Sequence, residues 1–470
     1  MQSFTNTIVS ISNFFWGPPI LATISALSIY ISIRLGFFQF TKFGYIFKST
    51  LGQAFKKGKG KGDGTLTPFQ ALTSAVACTV GAGNIVGVPV AIIMGGPGAV
   101  FWMWLIAFLG MALKYSEIVL AVKYRQLNEK GEYVGGPTYY MDKGMNMKWL
   151  AGIFAIGLMI EVAISSMVQA NSLAQSADAA LNIPPIVSGI ATMIITGIVV
   201  IGGVKRIGNF TVKLVPFMAM LYIISSCIII ALNFDKIPEA FALIFKYAFS
   251  PIAATGGFAG TGVAMAIRWG VARGLYSNES GLGTAPIAHA TATTDHPSRQ
   301  GLWGVMEVFL DTIVICSVTA FVILTTGVWK LAEASTLRGG ITALAFTKQF
   351  GSIGGAILTI CLIMFVLSTL IVLIWYGEKQ AEYLFGLKAS IVYRILCVLL
   401  IPIGAVGGAQ MLWQFLDFSL LLILFPNLFA IIYLSKDVIN ATNEFFKTPD
   451  QYYLKEKREL KERLGNSETK

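Results

Sequence analysis

A chain of 470 residues that is 55% hydrophobic and only 13% charged, with a mean hydropathy of +0.70, has more apolar surface than a soluble core can hide. Composition therefore excludes an ordinary soluble globule and points to a polytopic membrane protein with the lipid bilayer as its solvent. The formal net charge of +11 does not call for nucleic acid, because Lys and Arg lie mainly between apolar runs and in the tail, where the charge bias across a membrane puts them.

The first apolar run, from Trp16 to about Ile33, is long enough to cross once. No Lys or Arg precedes it and Arg34 follows it, the reverse of a cleavable signal peptide, so the first helix is expected to stay. Lys42, Lys48, Lys56, Lys57, Lys59 and Lys61 then face a single acid, Asp63. This places the segment in the cytoplasm and the N-terminus outside. The next run, 68–94, carries Ala77-Cys-Thr-Val-Gly-Ala-Gly-Asn84 in its middle. Gly81 and Gly83 interrupt a helix where no water solvates freed carbonyls and amides, so the break needs a ligand, an ion or protein around it. Close helix packing is the plainer use of such glycines. After a turn at Gly95-Gly-Pro97 the chain returns over 98–124, and a charged loop reaches Lys148. Spans over 150–180, 186–202 and 212–233 follow, then an outer amphipathic stretch with Asp235, Lys236, Glu239 and Lys246.

Residues 255–287, with Arg268, Arg273, Glu279 and Gly281-Leu-Gly-Thr-Ala-Pro286, are too rich in glycine and charge for one lipid-facing helix and read as a second broken element. A turn at 295–299, a span over 302–327, an outer helical stretch at 341–350 and spans over 353–376, 394–404 and 411–433 complete roughly eleven crossings. The basic tail is left in the cytoplasm. Each broken element opens a set of five spans, and an odd number per set inverts the second against the first. The expected fold is all-α, a 5+5 inverted repeat plus one extra N-terminal helix. Its divisions are 1–67 (first helix and basic loop), 68–233 (first repeat), 234–254 (outer connection), 255–434 (second repeat) and 435–470 (tail). The five cysteines, Cys78, Cys227, Cys316, Cys361 and Cys397, fall in apolar runs without metal spacing and read as small buried hydrophobes.

Gly95-Gly-Pro-Gly-Ala-Val-Phe-Trp-Met-Trp-Leu-Ile-Ala-Phe-Leu-Gly110 resembles the signature of the alanine or glycine:cation symporter family, the sodium:alanine symporters. Arg268-Trp-Gly-Val-Ala-Arg-Gly-Leu-Tyr-Ser-Asn-Glu-Ser-Gly-Leu-Gly-Thr-Ala-Pro-Ile-Ala-His289 resembles its second hallmark, and the likeness runs from Trp16 to about Tyr433. More distantly, Val80-Gly-Ala-Gly-Asn84 is similar to the first broken helix of the leucine-transporter fold, which that family shares. The resemblance implies a secondary active symporter of the cell membrane that takes up alanine, glycine or a similar small neutral amino acid with sodium, and needs no cofactor. By the fold's pattern, the carbonyls of Ala77 and Val80 and the hydroxyls of Ser368 and Thr369 would hold sodium. Tyr276 resembles the aromatic that closes over substrate.

The chemistry of the residues can be weighed beside that likeness. A zwitterion's carboxylate suits the amides and positive end of a half-helix, whereas sodium takes carbonyl and hydroxyl oxygens. The substrate-binding candidates are Thr79, Gly81, Ala82, Gly83, Asn84, Gln169, Tyr276 and Thr369. Plainer uses exist for several of them: Ser368 and Thr369 can back-bond to their own helix, Gln169 can bond across to another span, Tyr276 can pack, and Asn84 can hold an ion or brace the unwound turn. Tyr276, Phe365 and Met364 are the walls expected to limit side-chain size. Glu117, Glu161, Arg268, Arg273, Glu279, Glu307 and Asp311 must pair or meet water at their depth. They read as structural ion pairs, with Arg268 and Arg273 held by acids among Glu279, Glu307 and Asp311. His289 and His296 show no ligand spacing and no evident base partner. HExxH, GxSxG and clustered His or Cys are lacking, so an enzyme has no parts, and a channel lacks its charged ring or carbonyl filter. A sodium-coupled carrier is the reading that remains, with proton coupling as the alternative.

Overall fold

The computed structural model describes residues 18–54, 62–251, 262–331, 334, 340–407 and 409–447. The apolar runs form helices in the expected order, and the described chain is all-α apart from one ribbon in which Gln126–Leu127 pairs antiparallel with Tyr133–Val134. Helix α1 is Pro18–Arg34. The first broken span consists of α2 (Pro68–Thr79) and α3 (Val88–Gly95), joined by an extended residue, Val80, and a wide π-type turn over Gly83–Gly87. Its two arms bend by 44°. Thr67 starts α2 with a reciprocal cap: its hydroxyl accepts from the Gln70 amide and the Gln70 side chain accepts from its own amide, with Pro68 at the first helical position.

Helices α4 (Ala99–Lys123), α5 (Lys148–Leu181), α6 (Pro185–Ile201) and α7 (Gly203–Leu232) follow, then α8 (Ile237–Phe249), whose one-sided apolar pattern suits the outer connection. The second broken element is α9 (Val263–Asn278) and α10 (Ala285–Ala290), parted at 279–284. Helix α11 (Pro297–Val308) runs through a π-type stretch, Phe309–Cys316, into α12 (Ser317–Thr326). Helices α13 (Ile341–Phe350), α14 (Ser352–Val406), α15 (Ala409–Tyr433) and α16 (Ser435–Lys447) complete the described chain. Helices α4, α5, α7, α11 with α12, and α14 are each long and apolar enough to cross a membrane. Helix α4 is the centre, buried almost all round from Gly110 to Val122. Close approach depends on glycine at two points. A methyl on Gly304 of α11 would lie 2.3 Å from the Ile118 side chain of α4, and one on Gly404 of α14 would lie 2.4 Å from the Met167 backbone of α5.

Three boundaries differ from the sequence reading. Helix α7 starts at Gly203, not near 212, because Lys205 and Arg206 lie exposed on its first turn and need no loop. Helix α14 does not stop at 376. Its first arm runs on to Gly386 (φ 82°), where helical geometry is lost, and a second arm folds back and ends at Val406, so that Arg394 of the second arm meets Glu378 of the first at 2.9 Å, while Lys379 pairs with Glu382 at 2.8 Å. The tail begins as a helix, α16, tied to the end of α4 by Lys123–Asp437 at 2.8 Å and a Tyr124 hydroxyl bond to Asp437 at 2.6 Å. Cys227 is exposed, unlike the other four cysteines. The expected lysines at 56–61, the start of the second broken element at 255–261 and the basic tail beyond 447 lie outside the described residues.

Candidate functional site

The chain leaves helical geometry at Val80 (φ −82°, ψ 90°), and the Asn84 amide then bonds to the Gly81 carbonyl at 3.3 Å, a tight turn in place of the usual ladder. Ser368 and Thr369 of α14 lie against this break. Thr369 Oγ1 is 3.0 Å from the Ala77 carbonyl and 2.9 Å from that of Phe365. Ser368 Oγ is 3.5 Å from the Ala77 carbonyl and 2.8 Å from that of Phe365. Each hydroxyl has one proton for two carbonyls, so both bonds of a pair cannot be made at once. If the proton goes to Phe365, as in ordinary back-bonding, the hydroxyl oxygens and the Ala77 carbonyl are left as a cluster of hard acceptors. Ala77, Ser368 and Thr369 are thus brought together beside Val80, and a methyl on Gly81 would sit 3.0 Å from Thr369 Oγ1.

Asn84 does a different job from its neighbours. Fully buried, it accepts from the Gly81 amide at 3.0 Å and donates to Asp311 Oδ1 at 2.6 Å and to Ser277 Oγ at 3.0 Å. Ser277 in turn donates to Asp311 at 2.9 Å, and Thr312 donates to it at 2.7 Å. One amide therefore binds the first break to the end of α9 and to the π-type stretch after α11. Wide turns of this kind are common where a helix has to place a functional side chain. Its bracing role could have been suspected from the sequence, but its partner Asp311, far away in the chain, could not.

Beside the break is a cavity of about 50 Å³, walled by Thr79, Gly81 and Gly83 on one side and by Gln169, Tyr276 and Thr369 around it. Leu282, Leu373, Leu416 and Leu420 supply its apolar walls. Phe365, expected there, is instead fully buried against Tyr222, ring centroids 5.8 Å apart, and neither it nor Met364 lines the cavity. Two acids named in the sequence only as structural line it as well, Glu161 of α5 and Glu279. Glu279 adopts a left-handed conformation (φ 54°), which a non-glycine residue keeps only when its surroundings hold it. Thr284 Oγ1 at 2.5 Å and Cys78 Sγ at 3.5 Å do so. A second cavity of about 230 Å³ is lined by Ala82, Val86, Gly87 and Arg273, and shares Gly83, Gln169 and Tyr276 with the first. Those three residues form the wall between the two.

The remaining buried charges are braces. Lys114 and Glu307 pair at 3.4 Å, both fully buried. His289, contrary to expectation, has partners: its Nε2 is 3.2 Å from Glu307, and Gln300 Nε2 lies 2.7 Å from its Nδ1. His296 caps α11 through the Ser298 amide. Glu117 accepts from Asn427 at 2.5 Å. Among the described residues Arg268 forms no ion pair with the three acids expected for it and Arg273, which are engaged by these other groups. Both lie over aromatic rings, Arg268 at 5.8 Å from Trp269, and Arg273 at 5.2 Å from Trp269 and 5.8 Å from Tyr276. A ring face attracts a guanidinium through its quadrupole.

The family model described as the sodium:alanine symporter family matches residues 1–459. The chain is 50% identical to "Uncharacterized transporter YflA" of Bacillus subtilis, over 98% of each chain. It is 40% identical to "Sodium/alanine symporter AgcS" of Methanococcus maripaludis, over 94% of this chain and 98% of that one. It is also 35% identical to "Probable sodium/glutamine symporter GlnT" of Bacillus subtilis, over 95% of this chain and 91% of that one.

Proposed function

The chain belongs to the sodium:alanine symporter family, and we propose that within it this protein takes up alanine, glycine and similar small neutral amino acids together with sodium by alternating access. It is a multi-pass membrane amino-acid:cation symporter, not an enzyme. The observation that carries the finer reading is the convergence of Ser368 and Thr369 on the Ala77 carbonyl at the wall of a small chamber. In this reading Ala77, Val80, Ser368 and Thr369 hold sodium, and Thr79, Gly81, Ala82, Gly83, Gln169, Tyr276 and Thr369 receive substrate, with Asn84 bracing the break between them. Hard oxygens from an unwound helix suit sodium, and the amides of the break suit the substrate carboxylate.

Size supports a small ligand. A water needs about 10–15 Å³ of such space, so a chamber of about 50 Å³ takes a methyl-bearing zwitterion and has no room for a long side chain. Glutamine, for which one relative is named, would need Tyr276 or the leucine walls to move. The positive-inside rule puts the N-terminus outside and the C-terminus in the cytoplasm of the cell membrane. The larger cavity would then be the outer vestibule, and 68–233 and 255–434 the two repeats that move around the site. Uptake of labelled alanine into proteoliposomes under a sodium gradient, against potassium with a proton gradient, tests the coupling. Equal uptake in the second condition would establish the proton-coupled alternative, and counterflow in sodium-loaded vesicles separates a carrier from a channel.

A further inference from the structure

We propose that Glu161, with Gln169 two turns along the same helix and Glu279 across the cavity, forms an ammonium-recognition site that fixes the amino end of the substrate. This rests on the transport reading above and goes beyond it by assigning a group to the substrate's positive charge. All three residues line the small chamber together with Thr79, Gly81 and Gly83 of the break. Glu161 is 5% exposed, and its Oε2 has no hydrogen-bond partner among the described residues. Gln169 Oε1 is likewise buried without a donor. Two orphan acceptors on residues that line one cavity are costly in a membrane protein unless something with donors reaches them.

The chemistry of that occupant follows from the groups present. An ammonium carries three donors and no acceptor, and three acceptor side chains surround the space. The nearby cation, Lys114, is already paired with Glu307 at 3.4 Å. Glu279 is held in place by Thr284 and Cys78, so Glu161, which has a free oxygen, is the better placed to change partner on binding. A zwitterion in the chamber would give its carboxylate to the amides of the break and its ammonium to Glu161, which orients it without any contact to its side chain. Lactate, which has a hydroxyl where alanine has its ammonium, should be rejected for the same reason.

The test is binding to purified full-length protein in sodium, by calorimetry or scintillation proximity, with alanine and lactate as probes. Wild type failing to bind alanine or any other neutral amino acid would overturn the transport reading itself, and is determined before any variant. Given wild-type binding, Glu161→Gln should weaken alanine at least tenfold and narrow the preference for alanine over lactate. The thermal shift produced by sodium alone should not change. If E161Q binds alanine within twofold of wild type, or if its loss appears equally in sodium binding without alanine, the ammonium assignment is overturned and the carboxylate belongs to a cation site. Should E161Q not survive purification, Glu161→Asp keeps the charge and shortens the reach. A loss of at least threefold for alanine with lactate still rejected supports the assignment, and unchanged affinity refutes it.

Discussion

Thr369→Val keeps the branched shape of the side chain and removes one oxygen, so it tests the sodium contact. Thr369 is 2% exposed, and its oxygen sits 3.0 Å from the Ala77 carbonyl and 2.9 Å from that of Phe365. With sodium bound beside Ala77, the hydroxyl donates to Phe365 and turns a lone pair to the ion. An interaction of a polar group with a charge contributes about 1.5–3 kcal/mol, and 1.4 kcal/mol is tenfold in affinity. The sodium concentration for half-maximal alanine uptake should therefore rise about 10- to 150-fold on these figures. Folding should suffer much less, because the Phe365 carbonyl loses only a back-bond from its own helix, a neutral bond of about 0.5–1.5 kcal/mol. Thr369→Ser, which restores the oxygen, should recover most of the sodium affinity. Sodium titrations of uptake in proteoliposomes, with yield and melting temperature in detergent as controls, give both quantities. A folded T369V whose half-saturating sodium stays within twofold of wild type would refute the site.

Three further outcomes follow from the same geometry. Tyr276→Ala opens the wall between the chamber of about 50 Å³ and the cavity of about 230 Å³, so leucine and glutamine should become competitors of labelled alanine uptake; unchanged selectivity in folded protein means Tyr276 is not the limiting wall. Asn84→Ala orphans the Gly81 amide and removes a donor from Asp311, each loss costing about 1–3 kcal/mol, so the melting temperature in detergent should fall and transport should be lost; an unaltered melt would contradict the bracing role. Lys114→Met leaves Glu307 buried without its cation and should destabilise by about 3–5 kcal/mol, while Lys114→Met with Glu307→Gln should recover part of that loss; simple addition of the two single effects would show that the pair is not coupled.

The broken first helix was legible because two glycines two residues apart interrupt an apolar run of spanning length, and the boundaries of α13 were readable because Gly339-Gly340 and Gly351 flank it. The end of the 353–376 span was not. Glu378, Lys379 and Glu382 look like a loop in a window of sequence, yet they sit on a continuing helix because Arg394 lies one kink away. The start of α7 was misjudged on the same ground, since basic residues on an exposed first turn look like a connection. Charge in a window of sequence suggests solvent and a loop, yet a helix carries it where a partner lies elsewhere in the fold, as at Glu378, or where its own turn is exposed, as at Lys205.

The acids carry that lesson into the site itself. Glu161 and Glu307 each lie within an apolar span, so that setting alone does not separate them. What differs is the neighbour supplied by a distant helix. Gly304 lets α11 press onto α4, which brings Lys114 to Glu307 and makes that carboxylate a brace. Glu161, which lines the chamber, pairs with no lysine among the described residues, and its Oε2 has no donor there. A buried carboxylate is tolerable in a membrane only with a partner. The one whose cation is built into the chain contributes to the fold, and the one whose partner there is only the neutral Ser165 hydroxyl is the one to test with substrate.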